Sequence, residues 1–249
     1  MIKINKPAPP QVIIDNQEQW TKDLNEAITL CGGYNKIPPE QKESLLVHYH
    51  HNDIKKTLFA SSFYKCAFCE CKPGDSGNIE VEHFAPKSIY PDLTFDWDNL
   101  LPSCRKCNEA KTDFDTIKEP IINPSKTDPE ELFTYNYIRI CAISGCSQEQ
   151  AAKNTIDVCN LNSSRLYEVR AMLIKSLTEY ADELKEKLDL IEEADTPKKR
   201  KIRITKLRNS IEKIDQLLED SSVYAGYCRW FMSQCCEYIQ AKKLTLEEN

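Results

Sequence analysis

The sequence predicts a mainly α-helical protein with one short region of a different character. Apolar residues recur every three or four positions along the C-terminal half, as at Leu166, Val169 and Leu173, which is the period of an amphipathic helix. Glycine is scarce, at 6 of 249 residues. Between residues 64 and 125, paired cysteines and short alternating stretches replace that period. We therefore expect helices on both sides of a small cysteine-rich core.

The composition and charge of the chain argue against some classes of protein, such as membrane-spanning and secreted proteins. No run of residues approaches the ~20 apolar positions that a membrane span needs, and the segment Met1–Pro7 lacks the apolar core of a signal peptide. We therefore expect a cytoplasmic protein without membrane contact. The net charge is −6, which argues against coating nucleic acid by bulk electrostatics but allows a local basic site. Twelve cysteines in a reducing compartment should be metal ligands or buried thiols.

The chain divides into three predicted segments. Residues 1–63 begin with a proline-rich arm over 1–15, expected to be extended and weakly ordered, and continue as helices, one of them opened by Pro38-Pro39. Residues 64–125 hold the cysteine-rich core, including a Gly/Ser/Asp loop from Pro73 to Asn78. Residues 126–249 are expected to be helical and to bind a partner protein.

The C-terminal region predicts an antiparallel helical hairpin plus a further helix. The apolar series from Leu166 to Ile191 is followed by a second series from Ile204 to Leu218, and Thr196-Pro197 between them suits a helix start. A third helix is expected from about Ser222. The second hairpin helix is basic over 198–213 and the first is acidic over 182–195. Electrostatic pairing within the hairpin and nucleic-acid binding both explain this pattern.

Two Cys-x-x-Cys pairs predict a metal site. Four thiolates supplied as two such pairs form a closed tetrahedral zinc site with a structural role. Cys71 is too close to Cys69 to make the usual pair, so its participation stays open. The other cysteines are expected to be buried thiols. The predicted ligands are Cys66, Cys69, Cys104 and Cys107.

The residues between the two pairs predict two strands and a helix. Ile79 and Val81 alternate with Glu80 and Glu82, which is a strand pattern ending at His83. The stretch 97–102 is expected to form the second strand, and 103–111 a short helix. An imidazole is the natural general base near neutral pH, and Mg²⁺ prefers oxygen ligands such as carboxylates and amides.

The segment 64–113 resembles the ββα-metal motif of HNH endonucleases with a four-cysteine zinc staple. Glu82-His83 resembles the first element of that motif, Asn99 its central asparagine, and Asn108 with Lys111 its helix element. The resemblance implies catalysis by His83, Glu82, Asn99 and Asn108, with His83 as general base and Asn99 bracing the loop. Glu82 and Asn108 would hold a catalytic Mg²⁺ or Mn²⁺, distinct from the structural zinc.

Four basic residues near this motif are candidate phosphate contacts. They are Lys87, Arg105, Lys106 and Lys111. Another cluster, His48-Tyr49-His50-His51, could suggest a second metal site, but it lacks cysteine or carboxylate spacing. We interpret that cluster as the solvent-exposed surface of a helix.

Two short segments resemble the HNH subunits of anti-phage systems of the Septu (PtuB-like) and retron-associated types. They are residues 65–70 and 82–88, and weaker similarity extends to about residue 175. That resemblance implies an SMC/ABC-like (PtuA-like) ATPase partner that gates the nuclease, or an assembly with a retron reverse transcriptase and its non-coding RNA. DNA is the favoured substrate, with RNA such as tRNA as the alternative. The competing hypothesis is a non-catalytic, zinc-stapled adaptor that scaffolds the ATPase.

Overall fold

The computed structural model describes residues 1–73 and 79–248, so most of the predicted Gly/Ser/Asp loop lies outside the described residues. The mainly α-helical prediction is confirmed. The helices are α1 (Gln11–Cys31), α2 (Pro39–Leu46), α3 (Asn52–Ala60), α4 (Arg105–Lys111), α5 (Glu149–Val158), α6 (Ser164–Glu192), α7 (Pro197–Leu218), α8 (Ala225–Ser233) and α9 (Cys236–Glu247). The strands are β1 (Ile79–His83), β2 (Leu100–Cys104), β3 (Phe133–Asn136) and β4 (Arg139–Ala142).

The chain forms two units. The first comprises Met1–Phe133 and Cys141–Leu161, and the second comprises Thr134–Ile140 and Asn162–Asn249. Within the described ranges, no helix combines the length and the apolar character that crossing a membrane requires.

The centre of the first unit is an antiparallel pair of short strands. Ile79 lies opposite Cys104 and His83 lies opposite Leu100, so β1 and β2 pair along their full lengths. α4 follows β2 directly and packs on both strands. α3 covers the pair as well, burying Ile54 and Leu58 in one hydrophobic cluster with strand and α1 side chains. This ββα arrangement fixes the ends of both strands.

The N-terminal arm differs from its prediction. Met1, Ile2 and Ile4 are buried, and the amide of Ile4 donates to the carbonyl oxygen of Pro124 at 2.9 Å. The indole of Trp97 donates to the carbonyl oxygen of Pro7 at 2.9 Å. The prediction of weak order was wrong, because apolar side chains beside the prolines give the arm a surface to bury.

The second unit contains the predicted hairpin of α6 and α7. Thr196 caps α7 by accepting from the amide of Lys199, and Pro197 occupies the first turn. The apolar stripes of both helices are buried, including Leu177, Leu184 and Leu207. On α7, Arg200 pairs with Glu248 at 2.9 Å and Lys199 pairs with Asp195 at 2.8 Å. At these two positions the basic charges are therefore matched by acids at the chain end and in the connecting turn.

Three other expectations need correction. The further helix is two helices, α8 and α9, because Cys235 adopts an extended conformation between them. The stretch 133–142, expected to be helical, forms the strand pair β3–β4. Residues Trp97–Asn99 form a 3-10 turn rather than the start of a strand. In each case local packing or turn geometry overrides the pattern of apolar residues.

Candidate active site and cysteine cluster

The four predicted cysteine ligands come together in the structure. The sulphur atoms of Cys66, Cys69, Cys104 and Cys107 all lie within 4.8 Å of one another, and all four residues are buried. Cys66 and Cys69 lie in a tight turn in which the Glu70 amide donates to the Cys66 carbonyl oxygen at 2.9 Å. The other pair spans the end of β2 and the first turn of α4. This geometry suits one tetrahedrally coordinated metal ion.

The electrostatics of the cluster favour a cation. Burial raises the pKa of the Cys66 thiol, whereas hydrogen bonds from Cys107 and the neighbouring thiols lower the pKa of Cys104. Four buried thiolates would repel one another strongly unless a divalent ion neutralised them, and soft sulphur ligands suit zinc.

Cys71 lies beside this cluster rather than within it. Its sulphur is 3.3 Å from that of Cys69. The set whose ligand atoms all lie within 4.8 Å holds the other four cysteines and not Cys71. The backbone of Cys71 has a clear role, because its carbonyl oxygen accepts from the Cys66 amide at 2.9 Å and closes the turn.

His83 lies at the far end of β1 from the cysteines. Its side chain is buried, and the ring of Tyr49 packs edge-on against it, with centroids 4.7 Å apart. Its Nε2 is 2.9 Å from the carbonyl oxygen of Thr94. Burial lowers the pKa of His83 to about 3, so the imidazole is neutral at physiological pH.

The Thr94 contact decides which nitrogen of His83 carries the proton. A carbonyl oxygen only accepts, so Nε2 must donate, and the neutral ring then has its lone pair on Nδ1. Nδ1 has no hydrogen-bond partner among the residues that the structure describes. His83 is therefore held in the tautomer that a general base needs.

Glu82 precedes His83 on β1 and meets a lysine. The ammonium of Lys111 lies 2.6 Å from Glu82 Oε1 and donates to the carbonyl oxygen of His83 at 2.9 Å. Burial raises the pKa of Glu82, and the charge of Lys111 opposes that shift. Lys111 is fully buried, so it lies inside the motif rather than on the surface expected of a phosphate contact.

Asn108 lies one turn before Lys111 on α4 and meets a residue that the sequence argument passed over. Its side-chain amide donates to Glu80 Oε2 at 2.7 Å. The alternation of Glu80 and Glu82 already indicated that both carboxylates share one face of β1. Glu80, Glu82, His83 and Asn108 line a cleft of about 590 Å³. Two carboxylates and an amide oxygen are the donors that Mg²⁺ or Mn²⁺ prefers.

Asn99 ties down the loop that follows His83. Its Oδ1 accepts from the amide of Ala85 at 2.7 Å. Its Nδ2 donates to the carbonyl oxygens of Ala85 and Leu93, at 3.0 and 2.9 Å. The backbone of Asn99 also accepts from the amide of Phe84 at 2.8 Å. Both polar atoms of the Asn99 side chain therefore bind backbone groups, and these bonds hold the loop that follows His83 in place.

The remaining basic candidates occupy different positions. Lys87 lines the cleft, half-buried, and burial lowers its pKa. Arg105 and Lys106 are exposed on α4, and both pair with Glu109, at 2.6 and 3.1 Å. The structure brings Lys87 to the candidate catalytic residues and leaves Arg105 and Lys106 outside the cleft lining.

The histidine cluster lies in a turn rather than on a helix, and of its four residues His50 and His51 are exposed as predicted, whereas His48 and Tyr49 are half-buried. Residues 47–50 form a 3-10 turn in which His48 stacks on Trp20 with centroids 4.6 Å apart. Tyr49 packs on His83, and His50 lies at the cleft. Only their proximity in the fold reveals these contacts, since nothing in the sequence links residues 49 and 83.

Known proteins resemble this chain in the same region. Residues 66–114 match the family model described as HNH endonuclease. A Septu protein PtuB from Bacillus thuringiensis is 40% identical over 126 residues, which cover 50% of this chain and 47% of the relative. A Septu protein PtuB from Bacillus mycoides (strain KBAB4) is 27% identical over 71% of this chain and 68% of its own length.

Protein ea31 of Escherichia phage lambda is 42% identical over 52 residues, covering 20% of this chain and 16% of that protein. The alignment with the Bacillus thuringiensis protein spans about half of that protein's length. The ββα strand–helix unit, the cysteine cluster and the Glu82-His83 pair all coincide with the matched segment. Residues 66–114 therefore constitute an HNH domain, in a chain that is homologous to Septu PtuB proteins.

Proposed function

We propose that this protein is a metal-dependent endonuclease that hydrolyses phosphodiester bonds of nucleic acid as the effector subunit of an anti-phage system. The observation that carries the proposal is the neutral imidazole of His83, with Nε2 fixed on the Thr94 carbonyl, in the same cleft as Glu82 and Asn108. A purely structural histidine would not need carboxylate and amide oxygens beside it in an open cleft.

In the proposed reaction, His83 Nδ1 removes a proton from a water molecule whose oxygen attacks the phosphorus. The bond from phosphorus to the 3′ oxygen then breaks, and solvent protonates the departing oxygen. A Mg²⁺ or Mn²⁺ ion held by Glu82 and Asn108, with Glu80 adjacent, would neutralise charge on the phosphate and the leaving oxygen. Asn99 maintains the loop that places Thr94 and His83. The four clustered cysteines would hold a zinc ion that stabilises the strand hairpin.

DNA is the substrate we favour, with RNA such as tRNA as the alternative. A water nucleophile activated by His83 does not need the 2′-OH group, so the proposed chemistry serves both polymers. The Septu setting is favoured over a retron assembly because the similar proteins carry the Septu PtuB name.

A comparison of wild type with His83→Ala tests the nuclease. Both are incubated with plasmid DNA and with total RNA in Mg²⁺, with and without the partner ATPase. Removal of the general base should lower the cleavage rate by about 10²–10⁴-fold. The matched control is His51→Gln, because His51 is exposed and lies outside the cleft lining. Cleavage that persists in His83→Ala contradicts the mechanism, and absence of cleavage in every condition favours the non-catalytic adaptor.

We also propose that the second unit binds a PtuA-like ATPase. An apolar groove of about 490 Å³ between α6 and α8–α9 supports this interface. Its lining includes Tyr137, Ile174, Trp230 and Phe231. Tyr137 is 77% exposed, whereas aromatic side chains are enriched where proteins associate.

Co-purification with the ATPase tests this interface. Deleting residues 197–249 would expose the apolar stripe of α6 and disturb the fold. A point variant is therefore the more specific test. Tyr137 has a left-handed φ of 52°, which asparagine tolerates, and Tyr137→Asn should therefore keep the fold while weakening the complex. Ile202→Gln, at an exposed position on α7 outside the groove, is the control. An intact complex with Tyr137→Asn contradicts this assignment.

A further inference from the structure

One wall of the catalytic cleft comes from a segment that precedes the HNH domain. Tyr34, Tyr49, His50 and Lys55 line the cleft together with Glu82 and His83. The family match begins at residue 66, so these four side chains belong to the part of the cleft that the HNH motif does not supply. We call Tyr49, His50 and Lys55 the N-terminal wall.

The N-terminal wall is fixed to the catalytic strand. Tyr49 packs edge-on against His83, and its ring lies 4.1 Å from that of His50 between centroids. Lys55 is on α3, whose Ile54 and Leu58 are buried in one cluster with Val81 of β1. The wall therefore holds a fixed position relative to the general base.

The cleft is lined by charges of both signs. Glu80 and Glu82 on β1 provide carboxylates, whereas Lys55 and Lys87 provide ammonium groups. Neither of these ammonium groups has a close ion pair or a hydrogen bond among the described residues. Lys87 lies 5.6 Å from the centroid of the Tyr49 ring, and the nearby charge of Glu82 favours its charged form. By contrast, Lys111 and Lys106 are paired with Glu82 and Glu109. Unpaired cations beside a catalytic base suit an anionic ligand.

A backbone phosphate fits this arrangement. An ammonium group binds phosphate as a compact charge with three donors, and the imidazole of His50, which lines the cleft, provides one further N–H donor. The aromatic ring of Tyr49 is already packed on His83 and Lys87, which leaves the polar groups to meet the ligand.

We propose that His50 and Lys55 of the N-terminal wall, together with Lys87, form a subsite for a nucleic-acid phosphate adjoining the scissile one. This inference rests on the proposed nuclease function and concerns positioning of the strand, not the chemical step. Loss of the subsite should therefore raise KM and weaken binding while kcat changes little.

Two adjacent lysines provide the test. Lys55 and Lys56 follow each other on α3 and carry the same charge, but Lys56 is exposed and outside the cleft lining. Lys55→Ala and Lys56→Ala are made in the His83→Ala background, which binds without cutting. Dissociation constants for fluorescent single-stranded DNA and RNA oligonucleotides are measured by anisotropy across a range of salt concentrations.

Lys55→Ala should weaken binding roughly ten-fold, as expected for one charged hydrogen bond, and should reduce the salt dependence by about one phosphate contact. Lys56→Ala should change the dissociation constant less than about two-fold, and Lys55→Arg should retain most of the affinity. Equal effects of both alanine variants, or no effect of Lys55→Ala, overturn the subsite.

The two proposals fail in different ways. Wild-type cleavage with unchanged binding by Lys55→Ala overturns the subsite and leaves the nuclease intact. Binding that depends on Lys55 without any cleavage by the wild type overturns the nuclease and supports the subsite. Absence of oligonucleotide binding by the parent His83→Ala protein overturns the subsite outright. His50→Ala, assayed in otherwise wild-type protein, should raise KM more than it lowers kcat, and the reverse pattern contradicts positioning.

Discussion

The two ends of the β1–β2 pair carry opposite kinds of polar site. At the Ile79–Cys104 end, four buried thiols approach within 4.8 Å and enclose a space for one ion. At the His83–Leu100 end, oxygen and nitrogen donors line an open cleft of about 590 Å³. A hairpin of five-residue strands thus separates a closed cluster of soft ligands from an accessible cluster of hard ones.

The difference separates a site suited to a structural metal ion from a site that is open to a ligand. A closed thiolate site saturates its metal and stabilises the fold, since no coordination position remains for a substrate. The open end leaves donors available, at the cost of burying Glu82 and Lys111 as a charged pair. Three substitutions test this comparison.

The largest effect is expected at the closed end. Cys66→Ala should abolish binding of a metal ion at the four-cysteine cluster and unfold the HNH domain, because structural zinc contributes on the order of 10 kcal/mol to such folds. Metal content by elemental analysis and thermal unfolding measure this. Cys159→Ala, at a buried cysteine outside the cluster, should keep the metal, and so should Cys71→Ala. Loss of metal from Cys71→Ala would overturn the four-ligand assignment.

A smaller effect is expected at the open end. Lys111→Met leaves the Glu82 carboxylate buried without its cation, and breaking a buried pair in this way costs about 3–5 kcal/mol. Urea unfolding of the metal-loaded protein measures the loss. Lys106→Met removes an exposed partner of Glu109 and should cost less than about 1 kcal/mol. Adding Glu82→Gln to Lys111→Met should restore most of the stability; failure to do so contradicts the electrostatic explanation.

The smallest effect is expected at the brace beside the open end. Asn99→Ala leaves the buried amide of Ala85 without its acceptor, at a cost of about 2 kcal/mol. The domain should retain its metal, while cleavage falls because Thr94 and His83 lose their fixed relation. Asp98→Ala, which removes an exposed ion pair with Lys126, is the control and should change stability by less than about 1 kcal/mol. A fully active Asn99→Ala protein would rule out the bracing role.

Patterns that are local in the chain were predicted well. The spacing of the cysteine pairs anticipated the thiol cluster, and the alternation around Val81 anticipated the strand that ends at His83. The stripe from Leu166 and the Thr196-Pro197 start anticipated the α6–α7 hairpin. Each of these features depends on residues within a few turns or one strand of each other, so sequence spacing already contains the geometry.

Features that depend on distant partners were not predicted. The sequence predicted Lys111 to be a surface lysine, because nothing along the chain indicates that Glu82, 29 positions earlier, lies beside it. Likewise the sequence predicted a weakly ordered arm at Met1–Ile4, because it does not show that Met1, Ile2 and Ile4 are buried in the folded protein. The break between α8 and α9 at Cys235 has no strong signal, since neither glycine nor proline marks it.

The sequence by itself determined the four-cysteine cluster, the Glu82-His83 pair and the HNH class of the core, because ligand chemistry and spacing specify them. Only the tertiary structure decided how the site is completed. It packed Tyr49 against His83 and placed His50 and Lys55 in the lining of the same cleft. It also joined Asn108 to Glu80 and buried Lys111 against Glu82. The physical reason is that charge pairing, desolvation and proton location depend on distances between atoms, and the order of residues along the chain does not fix those distances.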